Sequence, residues 1–186
     1  MTSVSCSTDG RVLIDFSRLT GSRRVFQYLG ITEADVHYIP ASSDWTVQRS
    51  GAVLAEGTEG FTFERNHLTR CDGQGLFLSN YNRNVTVKDN EFSWIGDSAM
   101  SALGSMGTCL YANCSVRLHY PSGLDGRAGN QPRNTRVIGN LVREVGLHQS
   151  QSGAWAQHLV AGTHLESNVF FNIPLSAINF NDGFGG

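Results

Sequence analysis

The residues best suited to chemistry lie in two short stretches near the end of the chain, GAWAQHL and AINFNDGFGG. A tryptophan can stack on the apolar face of a sugar ring, amide side chains bond sugar hydroxyls, and a carboxylate can act as acid, base or nucleophile. Together these residue types favour a carbohydrate ligand. The residues concerned are Trp155, Gln157, His158, Asn179, Asn181 and Asp182.

Glycoside hydrolysis generally uses two carboxyl groups, about 5–5.5 Å apart in retaining enzymes and about 6.5–9.5 Å apart in inverting ones. Asp182 is the first catalytic candidate, followed by Asp97 in WIGDSAM and by His158. Alternatives stay open, because Asp182, Asp97 and Asp72 are also typical of turns beside glycine. His158 is also suited to a structural hydrogen bond. The substrate-binding candidates are Trp155, Gln157, Asn179 and Asn181, with packing against a loop as the alternative for Trp155.

These stretches belong to a sequence that repeats itself. The segment GFTFERNHLTRCDGQGLFLSN begins at Gly60, and NVTVKDNEFSWIGDSAMSALG begins at Asn84, 24 positions later. Segments that start at Asn134 and Thr163 continue the pattern. Asparagine takes the same place in each unit, at Asn66, Asn90, Asn140 and Asn168.

Each unit alternates apolar and polar residues as a half-buried strand does, for example over Val85-Thr86-Val87-Lys88. Strand-type units that cannot bury an apolar face alone stack into a solenoid. We therefore predict an all-β parallel β-helix over residues 51–186, a non-repeating or capping segment over 1–50, and a surface-loop insertion at 103–133. Gly and Asn are expected at its corners, and the repeated asparagines are expected to form a structural ladder.

The position of each candidate on the coil depends on how the units are aligned. Alignment of Gly153 with Ala177 puts Trp155, Gln157 and His158 on one outer face with Asn179, Asn181 and Asp182, bordered by the long loop. The same alignment predicts an inward row of Leu54, Leu78, Ala102, Ala156 and Phe180.

Composition excludes several other classes of function. A net charge of −2 without a cluster of basic residues leaves little with which to bind nucleic acid. No segment approaches the roughly 18 apolar residues of a membrane helix, so no membrane insertion is expected. The cysteines lack the spacing of a metal site, and we expect no metal and no cofactor. Cys71 is expected to be a buried thiol, whereas a disulfide between Cys109 and Cys114 would require an oxidising compartment.

The repeats over residues 51–186 resemble the right-handed parallel β-helix superfamily, the pectate-lyase-like proteins. The stretches DWTVQRSGAV, DGQGLFLSNYNRNVTVKDNEFSWIGDSA and AINFNDGFGG are most similar to β-helix proteins close to glycoside hydrolase family 141. The resemblance implies a right-handed coil, a polysaccharide or glycan partner, hydrolysis of glycosidic bonds by carboxylates on the outer face, and an extracellular or secretory location. A non-catalytic binding protein is the alternative to an enzyme.

The chain departs from that family in two respects. Family members are far longer, so the chain is expected to be a fragment, with the carboxylate partner of Asp182 in a missing turn. An inactive truncated fragment is the further alternative. Its first residues, MTSVSCSTDGRV, do not resemble a signal peptide. A last turn without a cap would leave Phe180 and Phe184 exposed and prone to self-pairing.

Overall fold

The structure is a computed structural model of the 186-residue chain, and it describes residues 2–5, 51–104 and 129–180. These residues form β-strands joined by short corners and contain no helix. The predicted catalytic and binding residues Asp182 and Asn181 lie outside the described residues, as do most of the segment 1–50 and of the insertion 103–133.

The strands lie in three parallel sheets. Sheet A contains β1 (Thr2–Ser5), β4 (Asn66–Cys71), β7 (Glu91–Ile95), β11 (Leu141–Val145) and β14 (Val169–Phe171), in that order. Sheet B contains β2 (Val53–Glu59), β5 (Leu76–Arg83), β8 (Met100–Leu103), β12 (Gly153–His158) and β15 (Ser176–Phe180), with β9 (Pro132–Arg133) beside the end of β5. Sheet C contains β3 (Thr62–Glu64), β6 (Thr86–Lys88), β10 (Arg136–Ile138) and β13 (His164–Glu166).

The chain visits the sheets in a fixed cycle, from sheet C to sheet A to sheet B, and each visit adds one parallel strand. Thr62 pairs with Thr86 and Leu68 with Phe92, both 24 positions apart. This architecture of stacked parallel strands is that of a β-solenoid. The prediction of an all-β parallel coil is confirmed.

The interior is filled by stacked apolar rows that alternate with outward residues along every strand. In sheet A the interior rows include Leu68, Phe92 and Val142, all fully buried. Phe63 of sheet C reaches across to Phe92, and their ring centroids are 6.2 Å apart. Each fully buried side chain of this size contributes about 1.5–3 kcal/mol, so the turns are held together mainly by these rows.

The predicted asparagine ladder is confirmed at the entry to sheet A. The side-chain oxygen of Asn90 accepts from the backbone N–H of Asn66 at 2.9 Å, and that of Asn140 accepts from the N–H of Asn90 at 3.0 Å. Asn168 continues the series, with its Oδ1 2.9 Å from the N–H of Asn140. Each amide thus satisfies a backbone donor of the preceding turn that the strand ladder leaves without a partner.

The corners agree in part with the expectation. Among the described residues, six glycines and four asparagines have a positive φ, together with seven residues of other types. At Gly96 the requirement is space instead, because an added Cβ would lie 1.9 Å from the backbone oxygen of Asp72 in the preceding turn. Close stacking of successive turns explains this glycine better than backbone conformation does.

Cys71 corrects another expectation. The residue is 1% exposed and lies in an interior row of sheet A, but it is disulfide-bonded and not a free thiol. Its stacking with Ile95 had suggested a simple apolar role, and interior position alone does not distinguish a thiol from a disulfide sulfur. Cys109 and Cys114 lie outside the described residues.

The last described turn, β13 to β15, leaves part of its apolar surface exposed. Phe180 is 54% exposed and Ile178 is 42% exposed, whereas the equivalent positions of earlier turns are buried. The predicted exposure of Phe180 is confirmed, and Phe184 lies outside the described residues.

Candidate functional site

The outer face predicted from the sequence depends on the register of β12, and that register differs by one residue from the predicted one. Trp155 pairs with Met100 and with Ile178, not with Ser101 and Asn179. Trp155 therefore belongs to an interior row, where it is 0% exposed and packs in the hydrophobic core. The placement of Trp155 on the outer face is wrong.

Gln157 shares the interior position of Trp155. Residues two apart on a strand point to the same side, and the indole Nε1 of Trp155 donates to Oε1 of Gln157 at 2.8 Å. This bond satisfies the indole N–H and the amide oxygen within the interior, which explains how the indole N–H is accommodated there. A buried indole offers no face on which a sugar could stack, so the structure does not support a sugar contact by either residue.

The wrong register predicted for β12 has its cause at the corner between β11 and β12. Val145 pairs with Ile95 and Trp155 with Met100, so the chain takes ten positions in one turn where it takes five in the turn before. The Asn140–Asn168 spacing of 28 indicates an excess of only four residues over the 24-residue period. The difference from five arises because the rest of that turn is one residue shorter than in the 24-residue turn from β4 to β7. A slip of one residue exchanges the inner and outer sides of a strand.

His158 and Asn179 do lie in the alternate, outward positions of sheet B. His158 pairs with Leu103 and Asn179 with Ala156. His158 is only 2% exposed, and Asn179 is half-buried. Most of the outward positions of the inner strands of this sheet are buried as well, including Phe77, Ser79, Ser101, Leu103 and Ala156.

Asp97 lies at the corner that follows β7 and is 3% exposed. Its Oδ1 accepts from the backbone N–H of Ser98 at 2.7 Å and from Oγ of Ser152 at 2.8 Å. Ser152 belongs to the longer corner of the next turn, so Asp97 joins two corners. The turn role that was the alternative for Asp97 fits these contacts. Asp72 is nearer the surface, with its Oδ1 3.7 Å from Nε2 of His148.

The outward side of sheet A is polar and partly exposed, and it was not singled out from the sequence. His67 Nε2 lies 3.0 Å from Oγ of Ser93 and 3.7 Å from Oε1 of Glu91. Arg143 donates to the same Glu91 oxygen through its Nε at 3.1 Å and through a terminal nitrogen at 2.8 Å. The register places these residues on adjacent strands, because His67 pairs with Glu91 and Arg143 with Ser93.

An exposed tryptophan borders this polar surface. Trp94 is 46% exposed and adopts a left-handed backbone conformation, with φ of 57°. Arg70, Glu144 and Asn172 occupy the same place in the other turns, with φ between 52° and 57°. The left-handed residue interrupts the strand alternation and turns its side chain outward between an outward Ser93 and an inward Ile95. We call the four residues the corner row: Arg70, Trp94, Glu144 and Asn172.

The exposure of Trp94 is indicated by its place in the repeat. Trp94 follows Asn90 by four positions, as Arg70 follows Asn66 and Glu144 follows Asn140. The recurrence of charged and amide residues at this place indicates a solvent-facing position. A tryptophan there is exposed for the same reason that an arginine is.

The described residues contain no group of three or more His, Cys, Asp or Glu residues arranged to hold a metal ion. They also contain no helix long and apolar enough to cross a membrane. The candidate site of the described part is therefore the outer side of sheet A with its corner row.

The chain was compared with models of known protein families, with curated proteins and with solved structures. None of the three comparisons finds a match. The β-solenoid architecture thus rests on the strand pairing of the chain itself.

Proposed function

We propose that the protein binds a glycan along the outer side of sheet A. The single observation that carries this proposal is Trp94, a large aromatic side chain with 46% of its surface exposed. Aromatic faces stack on the apolar face of a pyranose, and such contacts are common to proteins that hold carbohydrates on an open surface. The expected partner, a polysaccharide or glycan, is thus unchanged, but the proposed binding surface is sheet A instead of sheet B.

The polar groups near Trp94 support the same proposal. Asn172 donates from its amide to Glu144 at 2.5 Å, and Arg143 holds Glu91. These groups are ordered by one another, so they present donors and acceptors to sugar hydroxyls without the full entropic cost of fixing loose side chains. Rows on a parallel sheet repeat at about 4.8 Å, which allows an extended chain of sugars to run across several turns.

Hydrolysis is the second form of the proposal. It rests on the resemblance to glycoside hydrolase family 141 and to the right-handed pectate-lyase-like superfamily, which also implies export. The observation that favours it is the presence of two carboxylates, Glu91 and Glu144, on the same side of sheet A. Asp97 and His158, the catalytic candidates from the sequence, are both nearly buried. We therefore propose glycan binding ahead of hydrolysis.

Affinity electrophoresis in gels that contain xylan or fucosylated oligosaccharide conjugates tests the proposal. We expect the protein to be retarded in at least one gel, and Trp94→Ala to lose the retardation. Leu54→Ala is the matched control, because Leu54 is an apolar side chain with 52% exposure at the far edge of sheet B.

Two outcomes would overturn the proposal: absence of retardation in every glycan gel, or equal retardation of the wild type and Trp94→Ala. Release of reducing ends from a glycan that is bound would extend the proposal from binding to hydrolysis. In that case Glu91→Gln and Glu144→Gln identify the carboxylate on which turnover depends.

A further inference from the structure

We propose that the corner row of sheet A forms a subsite for an anionic sugar, in which Arg70 binds the negative group and Trp94 stacks on the ring. This inference rests on the proposed glycan binding and adds the chemical class of the ligand. The negative group is a uronate carboxylate or a sulfate ester, since both present paired oxygens to a guanidinium.

The register brings Arg70 and Trp94 together. Thr69 pairs with Ser93 and Cys71 pairs with Ile95, so the residues between them, Arg70 and Trp94, lie side by side in adjacent turns. Strands in a sheet are about 4.8 Å apart, a separation that allows one monosaccharide to contact both side chains. Both residues have φ of 57°, so both side chains leave the coil at the same corner. Both are exposed.

The charges around Trp94 differ on its two sides. On one side the Arg70 side chain is exposed, and its guanidinium has no ion pair or hydrogen bond among the described residues. On the other side the carboxylate of Glu144 accepts a hydrogen bond from Asn172. The other arginine of this face, Arg143, already donates to Glu91 at 2.8 Å. An unpaired guanidinium therefore lies beside an exposed indole.

This asymmetry determines how a sugar would lie. A pyranose stacked on Trp94 with its anionic group toward Arg70 forms a charge-assisted, two-pronged hydrogen bond. The opposite orientation would bring the anionic group against the carboxylate of Glu144, which is repulsive. A neutral sugar gains the stacking contact but not the charged one, so an anionic glycan is the better ligand.

The test compares four polymers by affinity electrophoresis at low and physiological salt. Dextran and dextran sulfate share a backbone and differ in sulfate, whereas xylan and a polyuronate provide a neutral and a carboxylated chain. Arg70→Ala is compared with Arg136→Ala, because Arg136 is another exposed arginine whose guanidinium has no partner among the described residues, on the outer side of sheet C.

We expect Arg70→Ala to weaken retention by the anionic polymer about tenfold or more, as loss of a charge-assisted hydrogen bond predicts, and to leave retention by neutral polymers unchanged. Arg136→Ala should bind as the wild type does. Preference for dextran sulfate over the polyuronate, or the reverse, identifies the negative group.

Equal weakening by both arginine variants, or equal retention of neutral and anionic polymers by the wild type, would overturn the anionic subsite. Failure of the underlying glycan binding is distinguishable, because Trp94→Ala would then behave as the wild type in every gel. Loss of all retention in Trp94→Ala with an unchanged Arg70→Ala leaves glycan binding intact and rejects the charge preference.

Discussion

The outer sides of sheets A and B have opposite accessibility, although both alternate with the same apolar interior. On sheet A the outward residues His67, Glu91 and Arg143 are half-buried and Trp94 is exposed. On sheet B the outward residues Phe77, Ser101 and His158 are almost completely buried. Alternation along a strand therefore tells which residues leave the interior, but it does not tell which of them meet solvent.

The two tryptophans within the described residues show this difference most clearly. Trp155 lies in an interior row of sheet B and is 0% exposed, whereas Trp94 lies in the corner row of sheet A and is 46% exposed. The same residue type thus stabilises the fold in one place and is available to a ligand in the other. Substitution of each one separates the two roles.

The largest expected effect is that of Trp155→Ala. Removal of a fully buried tryptophan creates a cavity and also leaves Gln157 Oε1 without its donor, so we expect the free energy of unfolding to fall by about 3–5 kcal/mol. Denaturant-induced unfolding followed by circular dichroism measures the loss.

Trp94→Ala is the matched variant for that measurement. Its free energy of unfolding should stay within about 0.5 kcal/mol of the wild type, because an exposed side chain contributes little to the core. A loss of stability in Trp94→Ala similar to that in Trp155→Ala would contradict the contrast between the two sheets.

The second effect concerns the disulfide of Cys71, which lies in the interior behind sheet A. Reduction with dithiothreitol should lower the free energy of unfolding by about 2–4 kcal/mol, since a cross-link restricts the unfolded chain. Thermal unfolding with and without reductant measures the change. Cys71→Ser in the absence of reductant should reproduce it, and an unchanged midpoint in both experiments would show that the disulfide does not stabilise the coil.

The asparagine ladder should have a smaller effect that depends on position. Asn140→Ala leaves the buried N–H of Asn90 without an acceptor, and we expect a loss of about 1–3 kcal/mol. Asn66→Ala removes an amide that only donates, at 3.0 Å to Glu64 O and at 3.2 Å to Asn90 Oδ1, so its loss should be smaller. Equal losses in urea unfolding would show that the ladder does not act through backbone donors.

The sequence was sufficient to predict the coil and the ladder. Both depend on a chemical requirement that recurs from turn to turn, and the same residue type meets it at Asn90, Asn140 and Asn168. The same regularity predicted strand alternation, but the predicted inward row of sheet B is wrong at Leu54 and Ala156, which lie in the outward row of Phe77.

The candidate site could not be predicted in the same way. The corner before Trp155 is longer than the others, and a spacing counted from one asparagine to the next cannot show where the extra residues lie. Burial of the outward side of sheet B is also a tertiary property that no repeat reveals. The position of Trp94 was accessible in principle, because it shares its place in the repeat with Arg70 and Glu144.

The smallest expected effect concerns the ionisation of Tyr81, at the accessible end of sheet B. Tyr81, near the end of β5, donates its hydroxyl hydrogen to Oε1 of Glu59 at 2.5 Å. This hydrogen bond is the main cause that raises the pKa of Tyr81 above its ordinary value of 10.0. Desolvation and the negative charge of Glu59 raise the pKa further, whereas the positive charge of Arg83 lowers it. The guanidinium carbon of Arg83 lies 4.2 Å from the centre of the Tyr81 ring.

The protonation state of Tyr81 that folding favours determines how stability depends on pH. A raised pKa in the folded state means that folding favours the protonated phenol, so the contact stabilises the fold below the ordinary pKa and ceases to do so as the pH rises through the raised one. Glu59→Gln should therefore lower the midpoint of Tyr81 ionisation, observed as phenolate absorbance and identified by its absence in Tyr81→Phe. Glu64→Gln, which alters an exposed carboxylate bonded to Arg65, should leave the midpoint unchanged. An unchanged midpoint in Glu59→Gln would show that Tyr81 and Glu59 are not coupled at the accessible end of sheet B.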